Sequence, residues 1–395
     1  MLNFNDTNVA FKVKSNNDLK RAYWLFRIIG SPLIVKLGKF VMIISLKLRI
    51  PVNFIIKKTI FKQFCGGETI DECSPTIKTL SKFNIGTILD YSVEGKIEDD
   101  DFDQTTEIII QTIEKAAIGK DIPFAVFKIT GISKFSLLEK ASSNNESLTL
   151  DEQAELDKVK ERINKICEHA KKCNVPVFID AEETWVQDII DDWALEMMQL
   201  YNKEKCIVYN TVQMYRHDRL EFLNDCLQNA KESNITYGIK LVRGAYMEKE
   251  RKRALEMNYP SPIQPNKEAT DRDYDLALDY ILENINYLSL VAGTHNEKSS
   301  QKLALALDKY KLTKDDSRIY FAQLLGMSDH ISFNLANEKF NVAKYVPFGP
   351  IKEVMPYLLR RADENTSVAG QTGRELGLIK AELRSRKANR KTSAV

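Results

Sequence analysis

Residues 175–213 read VPVFIDAEETWVQDIIDDWALEMMQLYNKEKCIVYNTVQ. Val175–Ala181 and Cys206–Gln213 are short runs rich in β-branched and aromatic residues, the composition of buried strands. Between them, Thr184–Tyr201 spaces its apolar residues at helical intervals. Alternation of strand and helix implies a parallel sheet. Working outward, further β-rich runs fall at Ile85–Tyr91, Phe124–Thr130, Tyr237–Arg243, Leu288–Thr294, Ile319–Leu325 and Val342–Phe348. Helix-like stretches separate them at Phe102–Lys120, Ser136–Lys171 (interrupted around Ser142–Glu146), His217–Lys231, Tyr274–Asn286, Glu297–Tyr310 and Asp329–Glu338, and Ile351–Arg361 follows the last run. Eight strand–helix units predict an α/β fold, a (β/α)8 TIM-like barrel, over residues 81–375. An open doubly wound sheet is the alternative, but no G-x-G-x-x-G follows the first strand.

Charge divides the chain differently. The net formal charge is only +2 over 395 residues. Residues 1–18 balance, and residues 19–67 hold ten Lys and Arg against no acid, which leaves residues 68–395 at −8. The expected organisation is a basic, apolar helical segment (1–80), an acidic barrel (81–375) and a basic, disordered tail (376–395) containing Arg384, Arg386, Lys387, Arg390 and Lys391. An acidic body argues against a nucleic-acid partner. The uncharged runs within residues 28–61 are too short for a membrane span of roughly 20 residues. Lys36, Lys39 and Lys47 share one side of a helical wheel. Such a helix packs on the body or lies on an anionic membrane surface. Six cysteines without a C-x-x-C pair point to a reducing compartment rather than a disulfide scaffold. His169, His217 and His330 make no metal-ligand spacing, so no metal is expected.

In a barrel of this kind, working residues gather at the C-terminal strand ends. Those ends are polar here: Lys128, Asp180-Ala181-Glu182-Glu183, Gln213, Lys240 with Arg243, Thr294-His295-Asn296, Gln323 and Tyr345. A strand-end lysine such as Lys128 or Lys240 also suits a Schiff-base aldolase. That reading leaves the Arg360-Arg361 pair, Gln213 and Tyr345 unexplained.

The strings FIDAEETW (178–185), YNTVQMY (209–215), KLVRGAYMEKER (240–251), SPIQPNKEATDRDYD (261–275), AGTHN (292–296), YFAQLLGMSD (320–329), KYVPFGP (344–350) and YLLRRADEN (357–365) together resemble the proline dehydrogenase family. The resemblance runs from about residue 85 to 370, and its spelling is similar to the mitochondrial-type branch and its bacterial relatives. It implies an FAD-dependent barrel that oxidises L-proline to 1-pyrroline-5-carboxylate and passes electrons to a membrane quinone. A separate 1-pyrroline-5-carboxylate dehydrogenase would act downstream, because the chain is too short to hold the second half of the bifunctional relatives. The implied location is the cytoplasm, with peripheral contact at the inner face of a bacterial plasma membrane, or the mitochondrial inner membrane in a eukaryote.

By the same resemblance, Lys128, Arg360 and Arg361 hold the proline carboxylate, and guanidinium groups suit that task because they bind carboxylates bidentately. Glu364 would orient the arginine pair; alternatively it forms an ordinary surface ion pair with Arg360 at i+4. Leu241, Tyr246, Leu325, Tyr345 and Tyr357 would form the apolar wall, with Tyr345 crowding out a hydroxyl on the substrate ring. Ala181, Gln213, Lys240, Val242, Arg243, Gly244, Ala245, Lys267, Thr294, His295, Asn296 and Gln323 would contact FAD. Gly244 would let the backbone approach the cofactor. Lys240 replaces an arginine found in many bacterial members and keeps its charge without the planar fork. Asp180 is expected to orient a tyrosine or arginine, and no residue is identified as the acceptor of the amine proton.

Overall fold

The computed structural model describes residues 2–31, 53–93, 98–143, 147–367 and 369–392, without the side chains of residues 53, 55, 362–372, 391 and 392. The stretch with Lys36, Lys39 and Lys47 and the side chain of Glu364 lie outside the described residues.

Eight parallel strands close into a barrel in chain order. They are β1 (Ile85–Tyr91), β2 (Phe124–Lys128), β3 (Val177–Asp180), β4 (Val208–Gln213), β5 (Tyr237–Val242), β6 (Leu288–Gly293), β7 (Ile319–Leu324) and β8 (Val342–Phe348). β1 and β8 close the ring in register along all seven residues, from Ile85 opposite Val342 to Tyr91 opposite Phe348. Alternation sorts the side chains, because neighbours along a strand point to opposite faces. Ile88, Phe124, Val126, Phe178, Tyr209, Val291, Ala322, Ala343 and Tyr345 form one cluster inside the barrel. Phe124 stacks on Phe178 at 4.6 Å between centroids, with the rings of Tyr209 and Tyr320 edge-on to Phe124. This aromatic plug fills the interior, so only the mouth above it is available for chemistry. Residues one step out of phase, such as Leu89, Phe127, Ile179, Ile239 and Leu241, pack outward in the larger cluster beneath the helices.

Among the helices that precede the barrel are α1 (Thr7–Ala10), α2 (Asn16–Ile29) and α3 (Ser74–Ser81), with short helical pieces at Asn53–Ile56, Lys57–Phe61, Lys62–Phe64 and Asp71–Cys73 between the last two. Around it run α4 (Asp99–Ala117), α5 (Phe135–Ala141), α6 (Leu150–Cys173), α7 (Thr184–Tyr201), α8 (Arg219–Ser233), α9 (Met247–Glu256), α10 (Lys267–Glu283), α11 (Glu297–Lys309) and α12 (Asp329–Asn337). α13 (Met355–Ser367) and α14 (Ala369–Thr392) follow the last strand. Local signals set the ends. Thr149 and Glu152 form a reciprocal capping box on α6, and Asn174 ends that helix in the left-handed conformation.

Two departures from the sequence reading stand out. α9 was not anticipated, because MEKERKRALE is charged around most of its circumference. It forms through tertiary contacts: the Thr184 backbone N–H and hydroxyl donate to the buried Glu250 carboxylate at 2.7 and 2.6 Å, and Lys249 pairs with Glu183. The second departure is the C-terminal segment, which is helical rather than disordered: α14 runs through residues 375 and 376. Leu378 and Ile379 are buried with Phe11, Leu19, Phe26, Phe64 and Leu358 in a second core. Arg386 donates to the carbonyls of Lys14 and Phe11 at 2.7 and 2.9 Å. The two ends of the chain thus pack on each other, and the described part of the basic N-terminal segment takes the packing role. No helix among the described residues is long and apolar enough to cross a membrane.

Candidate active site

The inward residues at the top of β1, β2, β3 and β5 are charged. Lys128 and Asp180 are register partners on adjacent strands. The Lys240 ammonium donates to the Asp180 carboxylate. It also lies 4.6 Å from the centre of the Tyr345 ring and 5.7 Å from that of Phe178, so carboxylate and π-faces both use its charge. Asp180 was expected to orient a tyrosine or arginine; its partner is instead Lys240. The Tyr345 hydroxyl is buried and has no hydrogen-bond partner among the described residues.

Two further carboxylates lie at these strand ends; Glu182 belongs to the polar run already read at the end of β3, whereas Asp90 was not anticipated. Asp90, inward at the end of β1, accepts from the Ser92 hydroxyl at 2.5 Å. Burial pushes its carboxyl up, with Lys128 and Lys240 opposing. Glu182 accepts from the Thr130 N–H at 3.0 Å and the Thr130 hydroxyl at 2.5 Å. Burial raises it to about 7, against the pull of Lys128. Asp90 was visible in principle, since it is one step out of phase with the outward Leu89.

The three expected carboxylate-binding cations come from two parts of the fold. Lys128 ends β2, and Arg360 and Arg361 lie on α13, which follows β8. Burial pushes the Tyr246 hydroxyl up while Lys128 and Arg360 both pull it down, so both charges act on the same ring. Arg361 is buried, with its guanidinium 5.2 Å from the centre of the Tyr357 ring. Its charge also reaches His295. Leu325 is half-buried just after β7, its N–H donating to the Tyr345 carbonyl at 2.8 Å. Leu241 is a correction. It is fully buried in the outer cluster, one residue out of phase with Lys240, and its side chain turns to the helices rather than to the mouth.

The ends of β4 to β7 form a second, more polar wall. Gln213 donates to the Glu182 carbonyl at 2.7 Å. Arg243 donates to Asp271 at 2.6 Å, to the Thr294 hydroxyl at 2.6 Å and to Ser299 at 2.9 Å, and Lys267 pairs with the other oxygen of Asp271. Asn296 caps α11, accepting from the N–H groups of Lys298 and Ser299. His295 Nδ1 sits 3.0 Å from the Ser328 hydroxyl. Burial, aided by the charges of Lys344 and Arg361, lowers the imidazole to about 3, so it is neutral near pH 7. Ala181 is buried, Val242 half-buried and Ala245 exposed, all near strand ends.

On this wall Gly244 has a further reason to be glycine, and the expectation for Gln323 needs correction. Gly244 has φ +122°, and an added Cβ would stand 2.4 Å from the Tyr215 ring. The protein's own packing therefore demands glycine there, whatever binds nearby. Gln323 lies out of phase with the inward Ala322 and Leu324. Its amide donates to the Thr294 carbonyl at 3.1 Å and accepts from Ser332 on α12 at 2.8 Å, so it supports the wall from behind.

Arg243 and Lys267 share the Asp271 carboxylate beside the N-terminus of α11, and Arg243 also meets Ser299, whose hydroxyl donates to Asp275. That combination suits a phosphate-bearing group. Lys128 and Arg360 act together on the Tyr246 ring at the other side of the mouth. Comparison with known proteins places the chain in a family. The family model for proline dehydrogenase matches residues 73–374. The chain is 34% identical over 426 residues to proline dehydrogenase 1, mitochondrial, of Dictyostelium discoideum, covering 96% of this chain and 74% of that protein. It is 30% identical over 426 residues to hydroxyproline dehydrogenase of Xenopus laevis, covering 99% and 91%. Among solved structures, proline utilization A (PutA) from Bdellovibrio bacteriovorus superposes with a TM-score of 0.71 at 20% identity, covering 92% of this chain and 36% of that one. The chain thus spans about a third of the length of that PutA protein. The chain belongs to the proline dehydrogenase family, and the activity of that family is an oxidation in proline catabolism.

Proposed function

We propose that the chain binds FAD along the β4–β7 wall and oxidises L-proline to 1-pyrroline-5-carboxylate. The observation that carries this reading is the Asp180–Lys240 pair at the strand ends, with the Lys240 ammonium 4.6 Å from the centre of the Tyr345 ring. When bound, the flavin would supply the hydride acceptor, its N5, for the hydrogen on proline C5. The three cations would hold the proline carboxylate and so fix which ring carbon faces the wall. Asp180 would hold the Lys240 ammonium in place near the reacting edge of the cofactor. Arg243, Lys267 and the N-terminus of α11 would take the phosphates, and Gln213 and His295 would line the cofactor. Tyr246, Tyr345 and Tyr357 would exclude water from the apolar ring of the substrate.

The purified protein is expected to be yellow and to bleach on anaerobic addition of proline. A colourless protein that borohydride traps with a carbonyl substrate would instead establish the aldolase reading. The similarity to a hydroxyproline dehydrogenase gives hydroxyproline a specific claim as substrate. Tyr345 would oppose it through bulk, because a buried ring against the substrate leaves little room for an added hydroxyl. Tyr345→Ser should lower kcat/KM for proline about tenfold and raise relative use of hydroxyproline; an unchanged ratio would remove Tyr345 from the specificity wall.

Electrons would leave to a membrane quinone, and the product would pass to a separate 1-pyrroline-5-carboxylate dehydrogenase. Residues 19–67 would touch the membrane. On α2, Trp24 and Ile28 are exposed, and Arg27 lies against the Trp24 ring, an arrangement suited to an anionic lipid interface. The full chain should float with anionic vesicles and fail to float with neutral ones; equal behaviour with both would exclude this contact.

A further inference from the structure

The loop after β7, residues 325–328, is held from three sides. From beneath, Lys344 of β8 donates to the carbonyls of Met327 and Leu324 at 2.7 and 3.3 Å. From the segment before the barrel, the Gln63 amide donates to the Gly326 carbonyl at 2.8 Å. Gly326 has φ +75°, and an added Cβ would stand 2.0 Å from the Gln63 carbonyl, so only glycine allows this approach. From the segment after the barrel, the buried Glu375 carboxylate of α14 accepts the Ser328 N–H. Ser328 is fully buried and left-handed at φ +50°, a conformation a serine keeps only where its surroundings enforce it. Its hydroxyl meets His295 Nδ1 at 3.0 Å.

These contacts form a chain from a helix outside the barrel repeat to the cofactor wall. We propose that Glu375 is a positioning residue: by holding the backbone of Ser328 in its left-handed turn, it sets the place of the Ser328 hydroxyl and, through it, the orientation of His295 toward the bound flavin. The inference rests on the FAD reading above. It accounts for a carboxylate that is otherwise costly to bury. Two neighbours give α14 a defined seat rather than a sliding one. Arg374 donates to Glu297, the first residue of α11, at 2.7 Å, and His330 Nε2 lies 2.9 Å from the same carboxylate.

The test measures FAD uptake by apoprotein, using flavin fluorescence quenching and the visible spectrum of the bound flavin. Glu375→Leu removes the acceptor and should weaken FAD binding about tenfold or more and shift the flavin bands. Glu375→Gln keeps a carbonyl acceptor for the Ser328 N–H and should restore affinity to within about twofold. Ser328→Ala removes only the hydroxyl that meets His295 and should reproduce the loss seen with Glu375→Leu, which decides the matter if the latter does not fold. Wild-type apoprotein that takes up no FAD would sink both this inference and the FAD reading. Normal uptake by wild type, with affinity and spectrum unchanged in the folded variants, would sink this inference alone and leave Glu375 as an anchor for α14.

Discussion

Lys240 and Lys344 are both buried strand lysines paired with an aspartate, and the barrel sets them on opposite faces. Lys240 stands on the inward phase of β5, and its pair with Asp180 has side-chain exposures of 8% and 14% beneath the mouth. Lys344 stands on the outward phase of β8, and its pair with Asp329 has exposures of 0% and 6% between the sheet and α12. Asp329 also receives Lys14 from the N-terminal segment at 2.5 Å. Burial works to raise the Asp329 carboxyl, yet the two ammonium groups outweigh it and leave it below its usual range. Burial lowers Lys344 in turn. The phase of one residue along a strand thus decides whether the same ion pair faces the barrel mouth or fastens the N-terminal segment.

That contrast can be broken at either pair. The largest effect should come from Asp329→Ala, which strands two lysines, one of them fully buried. Removing one partner of such a cluster costs about 3–5 kcal/mol, and urea unfolding should show it directly. A loss under about 1 kcal/mol would mean that water reaches the cluster and that it does not fasten the N-terminus. Lys240→Met should do the reverse. It should lower kcat about a hundredfold or more with a smaller stability cost, because Asp180 borders the mouth. Near-normal turnover would place Lys240 among structural residues beside Lys344.

A smaller effect sharpens the electrostatics of the polar β4–β7 wall. The folded His295 imidazole takes a proton only near pH 3, whereas the unfolded one does so near 6.5. As pH falls through 6.5 the unfolded state gains the proton first, so this stability is complete above that pH and is lost on acidification. With allowance for partial solvent access, wild type should lose about 1 kcal/mol more than His295→Gln between pH 7.5 and 5.5. Equal losses in urea titrations at the two pH values would show that the imidazole is already solvated in the folded state.

Much of the barrel was legible because burial on both faces of a parallel strand leaves a dense apolar signature. Ile85–Tyr91, Val342–Phe348 and Thr184–Tyr201 have the same ends in the sequence reading as in the structure. The polar strand ends were legible too, as Lys128, Asp180, Gln213 and Lys240 show. What escaped shares one physical origin. Leu241 and Gln323 sit in motif strings beside site residues, yet their phase turns them to the helices. The polar face of α9 carries no apolar stripe to announce it, and Glu250 ties it to the residue that opens α7. Glu375 lies in a charged segment with no sign of burial until α14 folds back over the chain's other end.

The sequence by itself determined the number, type and order of the barrel elements, because the strand signatures and helical period are local properties of a few residues. It also determined which residue types crowd the strand ends. Only the tertiary structure decided which lysine meets which aspartate, which motif residues turn away from the mouth, and that both chain termini brace the loop beside it. Those outcomes depend on strand phase, ring closure and contacts between residues hundreds of positions apart, such as Gln63 with Gly326 and Lys14 with Asp329.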